Sequence, residues 1–219
     1  MRRKLPPWLD NASLGERYDT DMTRREVFTI GPGLLLLNCS GDTPRKSVEK
    51  PPEPVTGLHA LYQMRTFAST WAKDLNVIRL SSINIPEVKM APGKAAAWQA
   101  QFASATLRKT RAYTFSVYDE SVTLRQGIFA DAPGTLSDNT QSFVIGEATT
   151  DSDKVWDIAL AHSRKYSAEH PDMPISWILE PDHQTGTPVW HVIWGLSATR
   201  SEFSILVDAH AGTYLRTLT

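Results

Sequence analysis

Between Leu58 and Thr219 the chain runs through one order of elements twice, and the segments between its strand-like runs are short. Short links force antiparallel neighbours, because a parallel return needs a crossover of about a dozen residues. In the first half Leu61, Met64, Ala68, Trp71 and Leu75 recur at alternating spacings of three and four. That spacing predicts an amphipathic helix, capped by Thr56 and stopped at Asn76. Strand-like runs follow at Val77–Ile83, Ala96–Leu107, Tyr113–Tyr118 and Val122–Phe129. In the second half Ser152 caps a helix over Asp153–Ala168, with Val155, Ala159, His162 and Tyr166 on its apolar face. His170-Pro171 ends it, since a residue before proline is pushed out of helical geometry. Strands are predicted at Ile175–Glu180, Val189–Ser197, Phe203–Asp208 and Thr213–Leu218.

Local words recur in the same order. Trp98 and Trp190 each lead a long strand, Ser104-Ala105-Thr106 answers Ser197-Ala198-Thr199, and Asp119 and Asp208 each end a third strand. Leu124-Arg125 answers Leu215-Arg216. The shared order points to an internal duplication. The fold class is α+β, with one helix packed on an antiparallel sheet in each of two units, 58–148 and 149–219. Trp190, Val192, Trp194 and Leu196 face one way, and His191, Ile193 and Gly195 the other. Two apolar faces mean either cover on both sides or a surface for a partner. Most tryptophans fit a core; Trp98, Trp190 and Trp194 are the interface candidates. If the Trp98 and Trp190 strands pair, the body is one sheet.

The segment ahead of this body reads as an address. Arg24 and Arg25 precede an apolar stretch, Val27–Leu37, and Cys39 closes it. Basic, then apolar, then a processing site is the layout of an export signal. Thr23–Phe28 resembles a twin-arginine motif, and Leu36-Leu37-Asn38-Cys39 resembles a bacterial lipobox, with Asn38 where a small residue is usual. Cys39 is the single cysteine of the 219 residues, which excludes an intrachain disulfide framework. Residues 1–39 are thus an export and lipidation segment. Met1–Asp21 is either an over-long start, with Met22 the initiator, or an extended n-region of the signal. Residues 40–57, rich in proline and charge, form a tether too poor in apolar side chains to pack. The net charge of −1 argues against nucleic acid as a partner.

Ile205–Leu215 carries a hydrophobic strand ending in Asp208-Ala209, a turn ending in Gly212 and a second hydrophobic strand. Asp208 can accept from turn amides, and Gly212 can take positive φ. This pattern resembles the hallmark of PepSY-type domains, a cystatin-like helix-on-sheet group. The resemblance covers about Asp153–Thr219 and is weaker in the first half, where Asp119-Glu120-Ser121 lacks the Ala and the Gly. It implies a non-catalytic cell-envelope module that binds or restrains a protein partner, such as a peptidase.

No chemical motif competes with that reading. The chain has no GxSxG, HExxH, P-loop or GxGxxG. Asp182, His183 and His191 are the nearest approach to a metal set, though a solvated turn and a packed strand explain them better. No catalytic residue, metal or cofactor is assigned. The expected protein is exported, held at the membrane through Cys39, and bound to an envelope protein. The alternatives are an accessory subunit of a larger complex and a small-ligand carrier with a helix–sheet cavity. Metabolic acyl labelling is expected to mark the wild-type chain and to vanish in Cys39→Ala; equal labelling of both removes the anchor.

Overall fold

The computed structural model describes residues 53–88, 91–119 and 124–219, and Arg24, Arg25, Cys39, Glu120 and Ser121 lie outside them. The element order is β1 (Val55–Thr56), α1 (Gly57–Ala68), β2 (Leu75–Ile83), β3 (Lys94–Ala95), β4 (Ala97–Ser104), β5 (Lys109–Ser116), β6 (Gly127–Ala130) and β7 (Gly134–Thr135). A 3-10 turn at Ile145–Glu147 leads into α2 (Ser152–Glu169), β8 (Ile175–Pro181), β9 (Pro188–Trp194), β10 (Phe203–Asp208) and β11 (Tyr214–Leu218). One antiparallel sheet runs β11-β10-β9-β8-β2-β4-β5-β6, with β7 also on β5. Each half is therefore a helix followed by a four-strand meander, and the halves join through their first long strands. The Trp98 strand, β4, and the Trp190 strand, β9, do not pair; the sheet is continuous through β2 and β8 instead.

Alternation selects the face that the helices cover. Trp98, Ala100 and Phe102 on β4, and Trp190, Val192 and Trp194 on β9, are buried in one cluster with Leu61 and Met64 of α1 and Val155 and Ala159 of α2. Here α1 lies on β2, β4 and β5, and α2 on β9 and β10. Ile178, Ile193 and Leu206 are buried on the opposite face, beside His191 and Ser204. Trp98, Trp190 and Trp194, the interface candidates, are therefore core residues, exposed by 0%, 0% and 2%. Two helices crossing this sheet need bulky side chains beneath them.

The joint between the halves is narrow. Only Leu80↔Leu179 and Ser81↔Ile178 are in register between β2 and β8. Trp177 N–H adds a bond to Ser82 Oγ at 3.0 Å. A bulge between Val77 and Arg79 frees Val77 to exchange two backbone bonds with Phe143, at 2.8 and 2.9 Å.

Above this joint the two helix starts meet. Trp98 Nε1 donates to Val55 O at 3.1 Å, and Trp190 Nε1 to Thr150 O at 2.9 Å. Each acceptor lies two residues before its helix, so the two halves repeat one contact. The indoles meet edge to face, centroids 6.3 Å apart. Thr56 takes the N-cap position of α1, yet its side chain makes no cap bond. Its donors go across the joint: Gly57 N–H to Ser152 Oγ at 2.8 Å and Leu58 N–H to Asp151 Oδ1 at 2.9 Å. Asp151, rather than Ser152, is the N-cap of α2 and also takes Ser152 N–H, at 2.7 Å. Buried Ser152 is left to bridge the helix starts and Gly93 O.

Some sequence boundaries moved. α1 ends at Ala68, so Trp71 lies in a turn and Leu75 opens β2. Thr66, Ser69 and Thr70 hydroxyls donate to carbonyls three or four residues back, which competes with continuation of the helix. His162 is exposed and stacks on Tyr214, centroids 3.8 Å apart, while Ser163 takes the buried position. Of the Val122–Phe129 run, residues 122–123 lie outside the described residues, and β6 spans Gly127–Ala130.

A Cβ on Gly57 would stand 2.5 Å from Trp190 Cη2 and 3.1 Å from Trp98 Cη2. Overpacking of that kind costs about 1–3 kcal/mol. Gly57→Ala is expected to lower the midpoint of denaturant unfolding despite the better helix propensity of alanine; an unchanged or raised midpoint would show that the indoles can yield.

Candidate functional site

The C-terminal hairpin, the histidines of the sheet and a cleft beside α2 carry titratable groups or open space. In the hairpin, Asp208 Oδ1 accepts the N–H groups of His210 and Ala211, both at 2.8 Å. Gly212 sits at φ +63°, and its N–H donates to Asp208 O at 3.0 Å. Ala209 is fully buried: its N–H donates to Pro188 O at 3.0 Å, and its carbonyl accepts Thr149 and Thr150 N–H at 3.0 and 2.8 Å. Asp208, Ala209 and Gly212 thus form a clasp on the segment that enters α2, whose Thr150 carbonyl holds Trp190. In the first half Asp119 plays a related part, accepting Gln126 N–H at 2.6 Å.

The histidines are spread out. His191 Nε2 lies 2.8 Å from Ser204 Oγ on the sheet face away from the helices. Burial, and then the charges of Arg79 and Arg216, hold His191 below its ordinary value and keep it neutral. Asp182 is committed to its own turn. It accepts Gln184 and Thr185 N–H at 3.0 and 3.1 Å and pairs with Arg216 at 3.3 Å. These bonds, the two amides first, lower its pKa. His183 contributes its carbonyl, to Gln141 Nε2 at 3.3 Å. Among the described residues no group of three His, Cys, Asp or Glu is placed to hold a metal ion.

The cleft opens where α2 gives way to β8. Trp156 of α2, Trp177 of β8, Pro92 and the Pro171–Ile175 segment line about 350 Å³ of space. That volume falls at the lower end of small-molecule sites. Among the described residues Asp172 is the one charged residue in its lining. Trp156 is half-buried, with its centroid 6.0 Å from that of Trp177. Trp177 is 1% exposed, and its Nε1 is the one buried side-chain N or O without a hydrogen-bond partner among the described residues. Met173 and Pro174 separate this cleft from a second groove of about 330 Å³ lined by Tyr166, Trp194 and Leu196.

Sequence reasoning had placed the functional tryptophans on β4 and β9. It passed over Trp156, which is offset by one position from the buried Val155–Ala159 stripe of α2. That offset was the available signal. No family model, no curated protein and no solved structure matches the chain.

Protonation of His191 ties stability to pH. Its folded pKa is depressed, so its contribution is complete above the unfolded value of about 6.5 and is lost as pH falls through the folded value. Stability is expected to decline from about pH 6.5 downward, and His191→Gln, which removes the titration, to flatten that decline. Equal slopes in urea midpoint against pH for the two proteins would assign the acid loss elsewhere.

Proposed function

We propose that this chain is an exported, lipid-anchored envelope protein with two cystatin-like units of the PepSY type, which binds and restrains a protein partner rather than catalysing a reaction. Cys39, with Arg24 and Arg25 ahead of it, supports the location. The Asp208–Gly212 hairpin supports the family reading, because Asp208 accepts turn amides and Gly212 takes positive φ, as expected of that pattern.

The observation that carries the binding reading is the outer edge of β11. This strand closes one end of the sheet, pairs with β10 and presents Leu215 and Leu218 at 42% and 41% exposure. An edge with free backbone groups and exposed leucines accepts an extended segment of a partner as an added strand. Backbone bonds then supply affinity, and Leu215 and Leu218 contribute contact area. A peptidase is the partner class that the resemblance names.

The test is co-purification from detergent-solubilised bacterial membranes with a tagged full chain. A stoichiometric protein is expected with wild type, reduced about tenfold or more by Leu215→Lys with Leu218→Lys. A captured peptidase supports restraint, and a stable non-peptidase assembly supports a subunit role instead. Retention of the partner by the double variant would take the edge out of the interface.

A further inference from the structure

Beside the β2–β8 joint the sheet parts, and the gap has a chemistry of its own. We propose that it is a site for a free α-amino acid with a polar side chain, held by its two charged groups, the carboxylate on Arg79 and the ammonium on Glu180. The reading is independent of the β11 edge and of any protein partner.

The gap has a local cause. Registered pairing between β2 and β8 stops at Leu80↔Leu179. On β8 the chain then reaches Glu180 and Pro181, and a proline has no N–H to give to a ladder. On β2 the bulge at Ile78 turns Val77 to Phe143 instead. The segment ahead of Phe143 becomes a third wall, and Gln141 Nε2 ties it to His183 O of the β8–β9 turn at 3.3 Å. A groove of about 420 Å³ lies between these walls, within the range of small-molecule sites.

Three observations select the ligand. First, the described residues include every sequence neighbour of the lining, and among them Arg79 is its one Lys or Arg and Glu180 its one Asp or Glu. The adjoining carboxylates are engaged elsewhere, Asp182 with Arg216 and Asp138 with Arg108, both at 3.3 Å. Second, Arg79 Nε and Glu180 Oε2 stand 3.7 Å apart, an ion pair beyond hydrogen-bond distance, and the two side chains are 46% and 30% exposed. Both are open to solvent and keep donors and acceptors for a ligand. A lone anion or a lone cation would meet one of them and be repelled by the other; adjacent opposite charges on one small molecule suit both. Third, Gln101, in register with Arg79 on β4, and Asn139 carry carboxamides that make no hydrogen bond among the described residues. A carboxamide both donates and accepts, which matches a polar side chain that does the same. Ile78 and Pro181 offer apolar contact to the carbon skeleton between these groups.

The probe is L-glutamine. Two capped forms each lack one charge: N-acetyl-L-glutamine has no ammonium and stands for the C-terminal residue of a peptide, and L-glutaminamide has no carboxylate and stands for the N-terminal one. The full chain labelled with 15N is titrated with each. The side-chain amide resonances of Gln101 and Asn139 are followed, assigned by their loss in Gln101→Ala and Asn139→Ala. L-Glutamine is expected to give saturable shifts in the millimolar range, and each capped form to bind about tenfold more weakly, the size of one hydrogen bond to a charged group. Arg79→Gln is expected to weaken L-glutamine about tenfold and to leave L-glutaminamide unchanged, since that form has no carboxylate to lose; Glu180→Gln does the same with N-acetyl-L-glutamine spared. Should either variant fail to fold, the three affinities in wild type still decide. Shifts that do not saturate, a capped form that binds as tightly as the free amino acid or more so, or equal losses for all three ligands in each variant overturns the proposal.

Discussion

Two indole N–H groups each tie a helix start to the sheet of its own half, and their rings meet between the halves. Trp98 and Trp190 stand at matching places on the two meanders, and each donates to a carbonyl two residues ahead of a helix. The rings meet each other over the narrow β2–β8 joint. A joint of two registered residue pairs is a weak basis for one sheet, since a backbone hydrogen bond contributes only about 1 kcal/mol net. The packing above it supplies what the ladder lacks. Gly57 is required there because the two rings leave no room for a Cβ.

The same point collects two helix N-termini, each with a partial positive charge and unpaired amides. Their mutual approach is unfavourable without a negative group between them. Asp151 is that group, accepting Leu58 N–H from one helix and Ser152 N–H from the other. Ser152 Oγ then satisfies Gly57 N–H, so the second half caps the helix of the first. The C-terminal hairpin feeds into this arrangement, because Ala209 O holds Thr149 and Thr150 and Thr150 O holds Trp190. The hairpin pattern visible in the sequence is thus tied to stability at the centre of the molecule, about as far in sequence as the second half allows. The binding features lie elsewhere, at the β11 edge and in the gap where β2 and β8 part.

Legibility followed the range of the interactions. The Asp208–Gly212 turn was readable because the bonds that close it, from His210, Ala211 and Gly212 N–H to Asp208, span four residues or fewer. The strands were readable where one face alternates, as in Trp98, Ala100 and Phe102. The end of α1 was misjudged because Trp71 and Leu75 continue the helical spacing, while hydroxyl bonds from Ser69 and Thr70 stop the helix earlier. Trp71 instead packs in a turn beneath the Arg111 guanidinium, 6.0 Å from its ring centroid. Of the cleft, only Trp156 was noticeable in advance, as a tryptophan off its helix's buried stripe. Its counterpart Trp177 looked like any other core residue, since an unpaired N–H has no sequence signature.

By itself the sequence determined what short-range physics determines: two helices, runs of antiparallel strands, the order repeated twice, and a hairpin closed by Asp208 and Gly212. Loop length and side-chain period suffice for these, because both act within about a dozen residues. The tertiary structure decided that β2 and β8 join the halves, that Trp98, Trp190 and Trp194 are core, and that Asp151 serves two helices at once. Those outcomes rest on contacts more than ninety residues apart for Gly57–Ser152 and Leu58–Asp151. No local pattern encodes them, because each depends on which surfaces remain unburied after the local elements have formed.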